Sequence, residues 1–287
     1  MNQDTPPPGT GLARRRRRLS DEETGQRMLR AATAMVTEAG LTVSLDHISL
    51  EDVIRDADVS RSAAYRRWPY KDLFFSDLLK ELAKGTSPEI GANPEALAAI
   101  GRIVLDRLDW IETPERRLAV AAEALRHGAL DEFELFHRSA QWRTYFALHA
   151  TFLSLPGGEL RDEVQSALAT SEQALIAGIA TAYRQVTTLL GLRLRPALDA
   201  SYETVATLAT ATIRGLILMA PANPGIATAR CHANPYGAPE AAEWSQPALG
   251  MAGVALTFFE PDPDVVWDEQ RAESVRALLT SGDWTRT

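Results

Sequence analysis

A chain of 287 residues with 45% hydrophobic content is long enough for one large or two smaller domains, each with a genuine core. Its single cysteine, Cys231, excludes an intramolecular disulfide framework and predicts a reducing, cytoplasmic setting. The net charge of −8 argues at first against a nucleic-acid partner, yet Lys plus Arg number 14 against 13 Asp plus Glu up to residue 84, and 16 against 25 beyond it. The acidity therefore sits in the second part, and local potential governs contact with a charged partner.

Residues 1 to 13, MNQDTPPPGTGLA, hold Pro, Gly and Thr and almost no large apolar side chain, which predicts disorder. Arg14, Arg15, Arg16, Arg17 and Arg18 follow. They imitate a twin-arginine export signal, but residues 19 to 30 are polar and supply no apolar segment, so that reading fails. Ser20-Asp21-Glu22-Glu23 forms a capping box, and Leu29, Ala32, Val36 and Ala39 keep helical spacing up to Gly40.

The stretch Ser49 to Leu82 reads as helix, tight turn, helix and a third helix. Ser49 caps the first, with Asp52 three residues on, and Val53, Ile54 and Ala57 supply its inward face. Asp58-Val59-Ser60 makes the turn. Ser60 caps the next helix, Arg61 to Trp68, where Ala64 and Trp68 share one face while Arg61, Ser62, Tyr65 and Arg66 point elsewhere. A short helix with such an outward face suits a major groove.

At these residues the chain resembles the tetracycline-repressor (TetR) family of bacterial transcription regulators. The ordered set Val53-Ile54, Ala57, Val59-Ser60, Tyr65, Trp68-Pro69 and Lys71 is similar to the family's I-A-x-x-A-G-V-S, then Tyr, then F-P-x-K. Asp58 stands where the family usually has Gly, Ile54 where it has a small Ala, and the link from Gly40 to Ser49 is longer. Aspartate tolerates the left-handed backbone such a turn requires.

The resemblance implies a DNA-binding domain over residues 19–84. Ser49, Ser60, Arg61, Ser62, Ala63, Tyr65, Arg66 and Lys71 are its candidate contacts. Arg61, Ser62 and Ala63 open the second helix, where side chains reach base edges. Tyr65 and Lys71 match family positions that usually hold phosphates, and Arg66 or Arg67 is a candidate for a further backbone contact. Arg14 to Arg18, within an arm of residues 1–18, have two readings: an arm on phosphates or in an adjacent minor groove, or a solvated charge run. Trp68 reads as core. Glu51 and Asp52 near the phosphates work against the assignment.

Leu73, Phe74, Leu78 and Leu82 continue a helix ending at Lys84-Gly85, and Gly85 to Asn93 reads as a hinge. Beyond it, Pro94–Trp110, Pro114–His127, Asp131–Ser154, Glu159–Leu190, Leu198–Ala220 and Asp264–Thr280 carry helical periodicity between Pro and Gly. Asp262 and Asp264, beside two prolines, read as the last helix's boundary and cap. No window alternates as a strand, and residues 221–247 read as a Pro-rich, structureless loop. The longest apolar patch, Ile213 to Ala222, is too short to span a membrane.

The expected fold is all-α, a helix-turn-helix domain followed by a larger helical domain over residues 92–287. For the latter the resemblance implies a small-molecule pocket and a homodimer. Trp110, Phe133, Phe136, His137, Trp142, Tyr145, Phe146 and His149 are candidates for lining the pocket, the alternative being ordinary core and surface. A two-fold dimer also follows from DNA geometry, since one short helix reads too few bases while a symmetric pair reads a palindrome. Glu159–Leu190 and Leu198–Ala220, with Ala206, Ala209 and Ala211, are the candidate dimer helices.

No metal site is expected, because His127, His137 and His149 lack the close spacing of ligand pairs and Cys231-His232 lacks further ligands. No catalytic residue or cofactor is assigned, since the nucleophile-elbow, P-loop, zincin and dinucleotide motifs are all missing. The function these readings imply is a dimeric repressor released from its operator by a ligand. The alternative is a constitutive DNA-binding dimer without an effector.

Overall fold

In the computed structural model, residues 19–39, 48–85 and 94–282 are described. The arginine run at 14–18, most of the link after the first helix and the hinge residues 86–93 lie outside the described residues. The architecture is all-α, with only short two-stranded sheets beside the helices.

Four helices come first: α1 (Asp21–Ala39), α2 (Leu50–Asp56), α3 (Arg61–Arg67) and α4 (Lys71–Gly85). Local chemistry sets their ends. Ser20 and Glu23 cap each other reciprocally at 3.0 and 2.8 Å. Ser49 Oγ accepts from the Asp52 amide at 3.4 Å, and Ser60 Oγ from the Ala63 amide at 3.3 Å. Asp58, at φ 50°, takes the left-handed turn between α2 and α3 that its position demands.

The chain continues through α5 (Pro94–Leu105), α6 (Pro114–His137), α7 (Ala140–Ser154) and α8 (Glu159–Leu190). Then follow β1 (Leu192–Leu194), α9 (Tyr202–Met219), α10 (Gly225–Thr228), β2 (Arg230–Ala233), β3 (Ala242–Ser245), α11 (Gln246–Thr257), β4 (Phe259–Pro261) and α12 (Glu269–Ser281). Gly191 closes α8 at φ +64°, where a Cβ would stand 2.8 Å from Val265 Cγ1, so both backbone and packing demand glycine.

Among the described residues the buried side chains form two cores. The smaller joins α1 to α4 through Met28, Val36, Val53, Trp68, Phe74 and Leu78, and draws in Leu148 from α7 and Val164 and Leu168 from α8. The larger is built on α5, α6, α8, α9, α11 and α12. Helix α8, 32 residues long, enters both cores, and Lys80 on α4 pairs with Glu163 on α8 at 3.0 Å.

Several expectations from sequence require correction. Gly128 does not end a helix: α6 runs through it to His137, because a helical glycine costs only about 1 kcal/mol when packing holds the helix. The break falls at Ser139, which caps α7. Strands exist after all, β1 pairing antiparallel with β4 and β2 with β3, the latter in a register that sets Cys231 opposite Trp244. Residues 221–247 are thus largely structured. Helix α11 was hidden because it is Ala- and Gly-rich and buried on much of its surface between α6 and α9, which removes a one-sided apolar period. Helix α9 starts at Tyr202, and α12 is capped by Asp268, whose Oδ1 accepts from the Arg271 amide at 2.8 Å, not by Asp262 or Asp264. Ala206 and Ala209 are 0% and 1% exposed within the chain's own core, so they are unavailable to a partner.

Candidate functional site

The α2–turn–α3 unit exposes the face the sequence predicts. Val53, Ile54, Ala57, Ala64 and Trp68 are buried, whereas Arg61, Ser62, Tyr65 and Arg66 are exposed and Ala63 is half-buried. Trp68 meets Phe74 edge-on at 5.1 Å and donates from Nε1 to Asp77 at 2.9 Å, locking α3 to α4. Arg67 reaches back to Asp21 at 2.8 Å, tying the end of α3 to the start of α1. Lys71, exposed at the start of α4, lies over the Phe75 ring at 4.8 Å.

Glu51 holds two of the candidate DNA contacts. Arg61 pairs with it at 2.7 Å, and the Tyr65 hydroxyl donates to it at 3.0 Å, a hydrogen bond that raises the phenol pKa. All three side chains are open to solvent, and exposed pairs of this kind contribute at most about 1 kcal/mol. If Arg61 and Tyr65 contact DNA, the duplex has to displace this carboxylate from both, at little cost. Glu51→Gln is therefore expected to tighten DNA binding by about fivefold, measured by fluorescence anisotropy at fixed salt. Unchanged or weaker binding would mean that Glu51 orients these side chains instead of competing for them.

The aromatic residues singled out in the second part fall mostly into one cluster. Phe133 stacks on His137 at 5.3 Å, Trp142 lies 5.2 Å from Tyr145 and 5.5 Å from Phe146, and Tyr145 lies 4.3 Å from His149. At its centre Arg214 pairs with Glu172 at 2.9 Å, and the Tyr145 hydroxyl donates to the same carboxylate. Burial would raise the Glu172 pKa, but the hydrogen bonds from Arg214 and Tyr145 hold it below the usual value. Burial also lowers the His149 pKa. Trp110 packs apart from them under Arg107 at 5.3 Å.

Of the eight candidates only Phe136 lines the apolar cavity between the helices. That cavity, of about 370 Å³, lies among α5, α6, α8, α9 and α11. Ile100, Ile103, Val186, Ile213, Met251 and Leu256 form much of its wall, with Phe136, Tyr183 and Phe259 as aromatic faces. Glu132 is its notable polar group: the side chain is half-buried in the cavity wall, and burial pushes its pKa up to about 7. Sequence reasoning missed it. The signal was a lone carboxylate on the apolar stripe Leu125, Ala129, Glu132, Phe136.

No family model matches this chain. It is similar to proteins named "uncharacterized HTH-type transcriptional regulator" in Mycobacterium tuberculosis and Mycobacterium bovis, with 35% identity over 89 residues. The match covers 30% of this chain and 45% of each relative, so the chain spans less than half the length of these relatives.

Proposed function

We propose that this chain is a DNA-binding transcription regulator of the tetracycline-repressor type, a dimeric repressor that leaves its operator when a small molecule fills the cavity. The observation that carries the reading is the α2–turn–α3 unit, where a buried inner face presents Arg61, Ser62, Tyr65 and Arg66 outward together. The naming of the mycobacterial relatives as HTH-type regulators supports the same reading. In this account residues 19–84 form the DNA-binding domain, residues 1–18 a basic arm and residues 92–287 the effector-binding and dimerisation domain.

Helix α8 supplies the link between ligand and DNA. Its Val164 and Leu168 are packed in the core of the DNA-binding unit, while Tyr183 and Val186 line the cavity. Tyr183 lies nineteen positions beyond Val164, about 28 Å along the helix at 1.5 Å per residue. A rigid rod of that length carries a small tilt at the cavity into a displacement at the head. A ligand releases DNA only if it binds better to the arrangement that does not fit the operator. For dimerisation, Leu208, Ala211, Gly215 and Leu218 share one outward stripe of α9, with Leu208 43% and Leu218 62% exposed. The cavity favours this reading over a constitutive binder, which has no use for one.

Selection from a random DNA pool, followed by titration of the winner at several salt concentrations, tests the proposal. A palindromic site bound by two copies is the expected outcome. Lys71→Ala is expected to weaken binding to every sequence and to reduce the salt slope by about one phosphate contact, whereas Arg61→Ala changes the preferred sequence. Unaltered affinity and slope in Lys71→Ala and Tyr65→Ala would remove the helix-turn-helix assignment.

A further inference from the structure

We propose that the cavity is a site for organic cations, taking an amine or quaternary ammonium on an apolar body, with its charge paired to Glu132 and set against the rings of Tyr183 and Phe259. The pairing itself stands on the cavity alone; only its consequence for DNA rests on the function proposed above.

The lining fixes the sign of the charge. Its ionisable residues are Glu95, His127, Asp131, Glu132 and Tyr183, with no lysine or arginine among the described residues that line it. His127 sits at the wall with a pKa lowered by burial and then by Arg126, so it is neutral at neutral pH. Glu132 therefore lies in a wall with no resident cation, and the exposed Glu95 and Asp131 add negative charge at its border. Arg214, the guanidinium whose charge acts on Glu132, stands outside the lining and pairs with Glu172 at 2.9 Å and the Tyr145 ring at 4.7 Å. A ligand carboxylate or phosphate would meet repulsion from Glu95, Asp131 and Glu132, with no cation in the lining to offset it. Anionic ligands are selected against.

Glu132 itself has no hydrogen bond or ion pair among the described residues, although it is half-buried among apolar side chains. An ionised carboxylate in such a place is costly unless it is paired. A cation entering the cavity supplies the missing partner and relieves that cost. The aromatic walls add to it: the Tyr183 and Phe259 rings lie 6.1 Å apart and tilted by 46°, and both border the cavity with Phe136. Aromatic faces beside a carboxylate suit quaternary ammonium groups, which cannot donate hydrogen bonds but are attracted by ring faces. The remaining wall, from Ile100, Ile103, Ile213, Met251 and Leu256, accepts the apolar body.

Decyltrimethylammonium, decan-1-ol and decanoate share a chain and differ in head charge, which makes them suitable probes below their micellar concentrations. Calorimetric or fluorescence titration of the full chain at pH 8 is expected to show the cation bound at least about tenfold more tightly than the alcohol, with decanoate weakest. In Glu132→Gln the cation loses about tenfold while decan-1-ol changes little, so the preference collapses without loss of the cavity. Equal affinity for cation and alcohol in the unaltered protein, or a preference that survives Glu132→Gln, overturns the assignment. Repeating the titration with the selected operator bound separates the two proposals. Preferential cation binding that leaves DNA in place upholds the cation site and overturns release by ligand.

Discussion

Glu132→Gln is expected to stabilise the empty protein at pH 8 by as much as about 3 kcal/mol, and to make no comparable difference at pH 4. Burial raises the Glu132 pKa from 4.5 to about 7. Between these values the folded chain binds a proton that the unfolded chain has released, so stability falls as pH rises through this window. Below 4.5 the carboxyl is neutral in both states. Above 7 it is ionised in both, and the folded state carries the full cost, at about 1.4 kcal/mol for each pH unit of displacement. The groups that bear on it are Tyr183 on α8, Arg214 on α9, Glu95 on α5, and His127 and Asp131 on its own helix. Glutamine keeps the shape and never ionises. Urea denaturation of both proteins across pH 4 to 8 checks the claim, and a stability difference that stays flat with pH refutes it. The expected rise in the difference with pH would mark Glu132 as a residue where stability is given up for function.

Trp68→Ala is expected to cost about 3 to 5 kcal/mol in the N-terminal core, the range for truncating a buried large aromatic side chain. Trp68 is 2% exposed and closes the unit from beneath α3. The substitution removes its edge contact with Phe74 and its hydrogen bond to Asp77, leaving that carboxylate to Lys80 alone at 2.8 Å. It also takes away the ring under Arg67, whose Cζ lies 5.1 Å from its centroid. Helix α3 is only seven residues long and holds its place through tertiary contacts rather than through its own propensity. Trp68→Phe, which keeps most of the contact but loses the hydrogen bond, is expected to recover more than half of the loss. Thermal unfolding by circular dichroism and DNA titration should fall together in Trp68→Ala. Retained DNA binding at full affinity would mean that α3 does not depend on this packing.

Much of the N-terminal unit was legible in sequence because its signals are local. A serine three residues before an amide to be capped, an aspartate at a left-handed turn and a tryptophan four residues after an alanine each act over one helical turn. Ser49, Asp58 and Trp68 accordingly sit where such rules predict. Helix α8 was equally readable, since a long amphipathic run between Gly158 and Gly191 needs no distant partner to declare its ends.

What only the tertiary structure decided are properties that arise between elements remote in sequence. Gly128 as helix interior and α11 as a buried helix depend on what packs around them, which no local period records. The grip of Glu51 on Arg61 and Tyr65 joins two helices across the turn. The aromatic residues of α6 and α7 looked like pocket walls because side chains of that type line pockets, yet their direction around the helix axis turns most of them into a cluster around Arg214 and Glu172. The cavity opened instead where α5, α6, α8, α9 and α11 converge, and it converted Glu132 from one acidic residue among 38 into an unpaired charge facing apolar walls. Composition and spacing determined the helices and the outward face of α3. Burial and electrostatic environment exist only once those helices have met, and so only the fold chose the carboxylate that matters.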